Sequence, residues 1–491
     1  MRALISVYDK RGVAEFARGL HQLGWEIVAS GGTAAHLAEH GVAATTVESL
    51  TGFGELLGHR LVTLHPAVHG GILARRDVPG DLADLEAHGI EPFDLVCVVL
   101  YPFADDQRVE MIDIGGPSLL RGAAKNFAHV AAVSSPAQYA PVLTEIRRDG
   151  SVSLETRRRL AAEAFATTAA YEASIAAWFQ GDEAFPARLT LALEKAAELA
   201  YGENPHQRAA FYGDGAGIGE QLHGKPLSYN NLHDLDAARA LLAELPAAAC
   251  VIVKHANPCG AASAPTLDAA YERALACDPV SAYGGIVALS EPVSGRLARR
   301  LGEQFVEVLS APGYQPEALA ALTAKPGIRI LVAPAGGGAG DLDVRSALGG
   351  FLVQEPDAGG DEPFALVCGE LTEDERADAE LAWAVCKHVS SNAIVLVRGG
   401  GTIGIGAGQT SRVDAVRIAV EKARQHGHEL AGSVLASDAF FPFADGPRLA
   451  LDAGVRAIVQ PGGSKRDGEV IAAVRDAGAA MAFTGRRHFR H

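Results

Sequence analysis

Residues 4–33 read Leu4-Ile-Ser-Val-Tyr-Asp-Lys10-Arg-Gly-Val-Ala-Glu-Phe-Ala-Arg-Gly-Leu20-His-Gln-Leu-Gly-Trp-Glu-Ile-Val-Ala-Ser30-Gly-Gly-Thr33, and the alternation inside this stretch decides the fold. Leu4–Val7 is a short apolar run that predicts a strand. Val13, Phe16, Ala17, Leu20 and Leu23 then fall on one helical face, and Gly24 ends that helix. Glu26–Ala29 predicts the next strand, Thr33–His40 the next helix and Ala43–Val47 a further strand. Leu95–Leu100 is continuously apolar, as a strand covered on both faces would be, and Val130–Val133 is another. This order predicts an α/β fold with a parallel sheet, whose ligands bind beyond the carboxyl ends of its strands.

A helix is expected from about Leu154 to Phe179. The break at residues 181–187 sets a domain boundary after residue 185, and Leu189–Leu199 reads as helix-forming. Strands follow at Cys250–Val253, Ile286–Ser290, Ala393–Val397, Ile403–Ile405, Val434–Ala436 and Ala457–Gln460. Pro334–Gly340 and Asp357–Glu362 read as loops, and no internal repeat is visible in the sequence.

The chain has 491 residues, 59 acidic and 43 basic, with a formal charge of −16. That balance excludes an extended nucleic-acid surface. No apolar run reaches the roughly 20 residues of a membrane helix. The N-terminus lacks the pattern of a signal peptide. Six scattered cysteines form no C-x-x-C pair, which fits a reducing cytoplasm. His255-Ala-Asn-Pro-Cys259 resembles the start of a zinc-deaminase signature, but no second Cys follows, so no zinc or other metal site is expected.

Ser30-Gly31-Gly32-Thr33 joins a strand to a helix, where backbone N–H groups and the helix dipole favour a phosphate. Ser6 and Lys10 end the first strand and converge on the same place. Arg60-Leu-Val-Thr63, Tyr101-Pro102, Asp113-Ile-Gly-Gly-Pro117 and Arg121-Gly-Ala-Ala-Lys125-Asn126 add further clusters, with Arg121 and Lys125 on one helical side. In the second part Lys254-His255 follows a strand directly. A neighbouring ammonium disfavours a second positive charge, which suits a proton acceptor. Asn257 and Pro258 are expected to force a turn. Asn392 precedes a strand and is placed to donate to an oxyanion. Residues 404–412 lack dinucleotide-fingerprint spacing and read as a turn that lets a ligand approach backbone. The aromatics of Ser437-Asp-Ala-Phe-Phe-Pro-Phe443 suit a flat heterocycle.

These motifs, with Tyr201–Gln207, Leu227-Ser-Tyr-Asn-Asn231, Asp278-Pro-Val-Ser281 and the terminal Arg487-His-Phe-Arg-His491, resemble in order the PurH family of bifunctional purine biosynthesis proteins. That family joins phosphoribosylaminoimidazolecarboxamide (AICAR) formyltransferase to IMP cyclohydrolase. The resemblance implies a methylglyoxal-synthase-like parallel-sheet domain at 1–185. A duplicated cytidine-deaminase-like α/β region without zinc then fills 186–491, with subdomains of approximately 186–360 and 361–491. It implies formyl transfer from 10-formyltetrahydrofolate to the 5-amino group of AICAR, followed by dehydrative closure to IMP. Lys254, His255 and Asn392 match the transferase machinery, and Lys125, Asp113 and Tyr101 the cyclohydrolase machinery. Ser6, Lys10, Ser30, Gly31, Gly32, Thr33, Arg60, Thr63, Tyr201, Asn231, Arg412 and Arg487 match nucleotide and phosphate contacts. Asn257, Pro258, Phe441 and Phe489 match the folate pocket. A homodimer and a potassium ion near the transferase site are implied as well.

The chain departs from the family pattern at four places. Val62 stands where the family has Lys, and the stretch between Phe103 and Asp113 is shorter. Leu100 and Phe127 replace Asn and His, and Ala200 replaces an Arg. Losing a charged phosphate contact forfeits about 1.5–3 kcal/mol if nothing replaces it. Two alternatives therefore stand beside the main expectation. One is a paralogue acting on an AICAR-like aminocarboxamide nucleotide, such as a C-nucleoside antibiotic precursor. The other is a non-catalytic nucleotide-binding protein.

Overall fold

The computed structural model describes residues 1–54, 56–58, 60–213, 215–246, 248–333, 342–359 and 363–491. The Gly-rich stretch 334–340 and residues 360–362, both expected in loops, lie outside the described residues. The chain divides into two compact units, Met1–Leu193 and Glu194–His491. No helix among the described residues is long and apolar enough to cross a membrane.

The first unit runs β1 (Arg2–Val7), α1 (Val13–Gln22), β2 (Glu26–Ala29), α2 (Gly31–Glu39), β3 (Thr45–Thr46), α3 (Val47–Thr51), α4 (Pro66–Leu73), α5 (Pro79–Ala87), β4 (Leu95–Val99), α6 (Gly115–Lys125), β5 (Ala131–Val133), α7 (Tyr139–Asp149) and α8 (Leu154–Gln180). Its five strands pair in parallel in the order β3-β2-β1-β4-β5. Alternate residues enter two cores. Ala3, Ile5, Leu95 and Cys97 face one, and Leu4, Val96 and Val98 the other. Strand order reverses between β1 and β4, which opens the crevice where doubly wound sheets bind ligands. The expected strand 43–47 shrinks to two residues, because Val47 already begins α3, capped by the Thr46 side chain on Ser49 N–H.

The second unit begins with β6 (Lys195–Glu198) and β7 (Ala210–Tyr212), a separate two-stranded pair. This corrects the helix expected at 189–199. Leu189, Leu191 and Leu193 alternate with period two and are exposed, and the following residues pair with β7 in place of coiling. Pairing with a partner strand has overridden local helix propensity.

Next come β8 (Glu220–His223), α9 (Tyr229–Ala243), β9 (Ala249–Lys254), β10 (Asn257–Ser263), α10 (Leu267–Cys277), α11 (Pro279–Ala282), β11 (Gly285–Leu289), α12 (Gly295–Leu301), β12 (Val306–Ala311), α13 (Pro316–Thr323) and β13 (Arg329–Val332). An exposed hairpin, β14 (Asp343–Ala347) and β15 (Gly350–Gln354), precedes the last part. That part is β16 (Ala365–Cys368), α14 (Glu373–Lys387), β17 (Ile394–Arg398), β18 (Gly401–Gly406), α15 (Arg412–Gln425), β19 (Val434–Ser437), α16 (Asp445–Asp452), β20 (Ala457–Gln460), α17 (Asp467–Asp476) and β21 (Ala480–Phe483).

One twelve-stranded sheet carries both parts, in the order β16-β21-β20-β19-β17-β18-β10-β9-β11-β12-β13-β8. From its middle outward the two halves read alike. β10-β9-β11-β12-β13-β8 mirrors β18-β17-β19-β20-β21-β16, with antiparallel, antiparallel, parallel, parallel and antiparallel pairings in each. The halves join edge to edge where Ala262 meets Gly401. The duplication is thus plain in topology, although the sequence shows no repeat.

Gly404 and Gly406 serve packing, while Ile405, Ala407 and Gln409 of the same segment line a cavity of the second unit. A Cβ on Gly404 would lie 2.2 Å from the Ala419 carbonyl oxygen, and one on Gly406 2.0 Å from that of Ala415. Both lie inside β18, and they let α15 rest directly on its backbone. Gly406→Ala is therefore expected to cost about 2–3 kcal/mol in urea unfolding. Gly468→Ala in α17 meets nothing within 4 Å and is expected to be neutral or slightly stabilising.

Candidate functional site

In the first unit the polar groups gather at the carboxyl edge of the sheet. The Ser6 and Ser30 hydroxyls lie 2.9 Å apart. Lys10 Nζ donates to Thr33 Oγ1 at 3.1 Å and also to the Val7 carbonyl. Thr33 Oγ1 in turn accepts from Val7 N–H, so residues 30–33 are tied to the end of β1. Ser30 is the N-cap of α2, yet no side chain caps the helix. Its first N–H groups are therefore open donors, as an anion site requires. Burial pushes the Lys10 ammonium below its ordinary pKa.

Beside this lies a second group. The Tyr8 and Tyr101 rings are 5.3 Å apart. The Asp113 carboxylate accepts from Gly116 N–H at 2.7 Å, and backbone N–H groups of Tyr101 and Gly115 also face it. Burial still raises its pKa against those hydrogen bonds. Glycine at 115 and 116 leaves room for Thr63 and Asp113, since added Cβ atoms would stand 2.7 Å from Thr63 Oγ1 and 2.2 Å from Asp113 Oδ2. Two residues not singled out in the sequence belong here. Tyr171 of α8 accepts from Asp113 N–H and donates to the Met111 carbonyl, both at 2.7 Å. His69 of α4 meets Ser118 Oγ at 2.9 Å.

Lys125 stands at the far end of α6 from these groups. Arg60 is exposed and paired with Glu110. Lys125 closes α6, while Asp113 precedes its first residue, so the helix sets them about 15 Å apart. Within this unit Lys125 and the Asp113–Tyr101 group thus lie toward opposite ends of α6. Lys125 lines a cavity of about 610 Å³ with Arg121, Phe127, Arg158 and Phe165.

In the second unit β9 delivers Lys254 and a two-residue turn delivers His255. Lys254 Nζ donates to the Tyr283 carbonyl at 2.9 Å. His255 and Ala256 both adopt left-handed backbone, with φ of 54° and 57°. That conformation costs a non-glycine residue about 1–2 kcal/mol. The turn thus falls on His255 and Ala256, whereas Asn257 and Pro258, expected to turn, open β10. Asn257 holds the turn from behind, donating to the His255 carbonyl and accepting from Ser390 N–H.

Lys254, His255, Asn257, Pro258, Asp278 and Lys422 line a cavity of about 290 Å³. Burial opposes ionisation of Asp278, but hydrogen bonds from Lys422 and Ser281 hold its carboxyl below the ordinary value. Burial pushes the Cys259 and Cys277 thiols up to about 12, so neither is a thiolate near neutrality. Among the described residues, the one group with three metal-capable side chains is His36, Glu39 and His40, on the first unit's α2.

Other expected residues are held by the protein itself. Asn392 donates to the Gln409 and Thr410 carbonyls and accepts from Arg412 at 2.6 Å. Arg412 also pairs with Asp438 and donates to Ser437 Oγ at 2.8 Å. Asn231 forms a capping box with Ser228 and donates to Glu307 at 2.9 Å. Tyr201 is half-buried, and its carbonyl accepts from Tyr229 N–H at the first residue of α9. At the C-terminus the Arg487 guanidinium stacks on Phe489. Phe441 is corrected as a ligand contact: it is 1% exposed and packed in the core against α15 and α16. Its neighbours Phe440 and Phe443 carry the exposed rings.

The AICARFT/IMPCHase bienzyme family matches residues 123–422, and the MGS-like domain matches residues 12–120. A bifunctional purine biosynthesis protein PurH from Chloroflexus aurantiacus is 52% identical across 100% of this chain and 99% of its own length. A protein of the same name from Myxococcus xanthus is 48% identical across 100% of both. A solved structure titled "Crystal structure of ForH" has 40% identity, covers 36% of this chain and 98% of its own, and has a TM-score of 0.34.

The raised pKa of Asp113 makes a stability prediction with a definite sign. Its contribution to folding is fully present below the ordinary carboxylate range, where it is neutral in both states. That contribution is lost as pH rises through the folded value. Asp113→Asn keeps an oxygen for Gly116 N–H and removes the buried charge. Thermal unfolding should show a higher midpoint than wild type at neutral pH and no gain in acid. A lower midpoint at neutral pH would mean that the backbone hydrogen bonds outweigh burial.

Proposed function

This chain belongs to the AICARFT/IMPCHase bienzyme family, with an MGS-like N-terminal domain, and on that premise we propose how its residues divide two successive reactions. The first is transfer of a formyl group from a formyl-folate to the 5-amino group of AICAR. The second is closure of the product to IMP, in purine biosynthesis. Relatives bearing the bifunctional name match the chain end to end. Neither the paralogue on an analogue nucleotide nor the non-catalytic nucleotide binder is favoured.

The observation that carries the transferase assignment is the display of His255 on a turn at the 290 Å³ cavity, directly beside Lys254. The amine nitrogen attacks the formyl carbon of 10-formyltetrahydrofolate. The amine proton passes to His255 and is returned to the folate N10, so that the bond from the formyl carbon to N10 breaks with N10 leaving as a neutral amine and His255 neutral again. The amine lone pair is delocalised into the imidazole ring, so positioning and proton removal supply much of the rate. Lys254, anchored on the Tyr283 carbonyl, places a fixed cation beside the transfer. Asn392, oriented by Arg412, faces the developing oxyanion once substrate displaces one of its two backbone partners. Arg487, Tyr201 and Asn231 hold the nucleotide, while Asn257, Pro258, Phe489 and the exposed Phe440 border the folate.

Ring closure is assigned to the first unit. The carboxamide nitrogen attacks the formyl carbon, and its oxygen leaves as water. The open N–H groups of α2, with Ser6, Ser30, Thr33 and Lys10, take the 5′-phosphate. Burial moves Asp113 toward the range in which a carboxyl passes protons, and Tyr101 lies against it. Thr63 and the exposed Arg60 border this site, and Val62 leaves it without the family's Lys. The protein works as a homodimer. The β14–β15 hairpin supports this reading, because Leu348, Phe351 and Leu352 are exposed on it.

Two measurements check the division. His255→Ala should lower formyl transfer about 10²–10⁴-fold. It should leave closure of supplied formyl-AICAR unchanged, and loss of both activities together would overturn the split. Val62→Lys should raise the closure rate. An unchanged rate would show that another group has taken over the missing cation.

A further inference from the structure

We propose that Asp234 is the positioning residue of His255: its carboxylate holds the backbone N–H groups of the left-handed turn and so fixes where the imidazole stands. This rests on the reading of His255 as the group that takes the amine proton.

Asp234, half-buried on α9, accepts from His255 N–H at 3.1 Å and from Ala256 N–H at 2.7 Å, one turn amide on each oxygen. Two-residue hairpins with left-handed central residues normally use Asn, Asp or Gly there. His and Ala have no such preference, so something outside the turn must hold it. The other half of the sheet shows the same device with different residues. Asp378 on α14 accepts from Gly399 N–H at 2.8 Å and Gly400 N–H at 2.7 Å, again one amide on each oxygen. Those glycines link β17 to β18 as His255 and Ala256 link β9 to β10, and their φ values are 61° and 77°. The duplicated fold thus offers an internal comparison. Where the turn carries glycine, the backbone adopts the conformation freely and Asp378 merely decorates it. Where it carries His255, the disfavoured conformation depends on Asp234. Among the described residues no other side chain accepts from these two amides. Asp234 acts on the imidazole through the turn backbone and not through the reacting atoms, which makes it a positioning residue.

The test uses the full-length protein. Formyl transfer is measured with AICAR and 10-formyltetrahydrofolate, and the far-ultraviolet circular dichroism and urea-unfolding profile of each variant, compared with wild type, report that the second unit is folded. Asp234→Ala should lower kcat for transfer about 10²-fold, the cost of a misplaced catalytic group, with KM for both substrates changed less than about threefold. Asp234→Asn, which keeps one acceptor oxygen, should lose about tenfold, and it carries the test if the alanine variant does not fold. Adding Ala256→Gly to either variant should recover part of the loss by relaxing the turn. Asp378→Ala, the equivalent deletion in the other half, should leave kcat within about threefold of wild type. Unchanged kcat in Asp234→Ala, a loss confined to KM, or an equal loss in Asp378→Ala would overturn the proposal. His255→Ala is run in parallel. If it retains transfer, the reading of His255 fails first. If it abolishes transfer while Asp234→Ala does not, the positioning role alone fails.

Discussion

Helices cover both faces of the two large sheets, and this double burial governs where chemistry can occur. Along β1, β4, β9 and β17 successive side chains enter opposite cores, so no polar group can be spared within a strand. The polar and charged residues of both candidate sites stand at or beyond strand ends. Lys10, Tyr101 and Asp113 follow strand ends in the first unit, and Lys254, His255 and Asn392 flank strands in the second. The Gly-to-carbonyl contacts between β18 and α15 serve the same constraint, since a helix that lies on backbone excludes water from the sheet.

The twelve-stranded sheet uses one topology twice for different ends. Both halves share a core in which α9 and α14 pack side by side on one face. Each half presents an Asp-held hairpin at corresponding places. On the proposed assignment only one hairpin, that of His255, carries chemistry, and the other has two glycines. Duplication therefore supplies the scaffold, and departure from it marks the site. The Asn392 assembly is the second such departure. It precedes β17, and it is held by an Arg412–Asp438 pair that is almost wholly buried. Such a pair is weak evidence for stability but a strong constraint on orientation, because breaking it strands a charge.

Much of this was legible in the residues. Strand centres could be read because continuous apolar runs have few alternatives, and Glu26–Ala29 and Ala457–Gln460 fall where their composition put them. The failures have separate physical causes. Within 189–199, residues Lys195–Glu198 pair as a strand because a partner strand is at hand. The turn at His255 carries no turn signature of its own, since its determinant is a carboxylate 21 positions earlier. Phe441 and Phe440 are adjacent and chemically equal, and only the direction of the chain buries one and exposes the other.

The missing cations at Val62 and Ala200 look different against this structure. On the proposed assignment, a phosphate at the first site meets chiefly groups that a substitution there would not remove: uncapped N–H groups of α2 and hydroxyls locked to the end of β1. Backbone donors are fixed by the fold itself and need no ordering when the anion arrives, whereas a lysine side chain must give up rotamer freedom to make its contact. Lys10 is already tethered to Val7 and Thr33 and pays little of that cost. Binding at this edge can therefore tolerate the loss of one mobile cation. Ring closure, which needs charge placed against a reacting oxygen and not merely against phosphate, is where the absence at Val62 bears most. Asp113, faced by three backbone N–H groups and raised in pKa by burial, is neutral or anionic and cannot itself stand in for that ammonium.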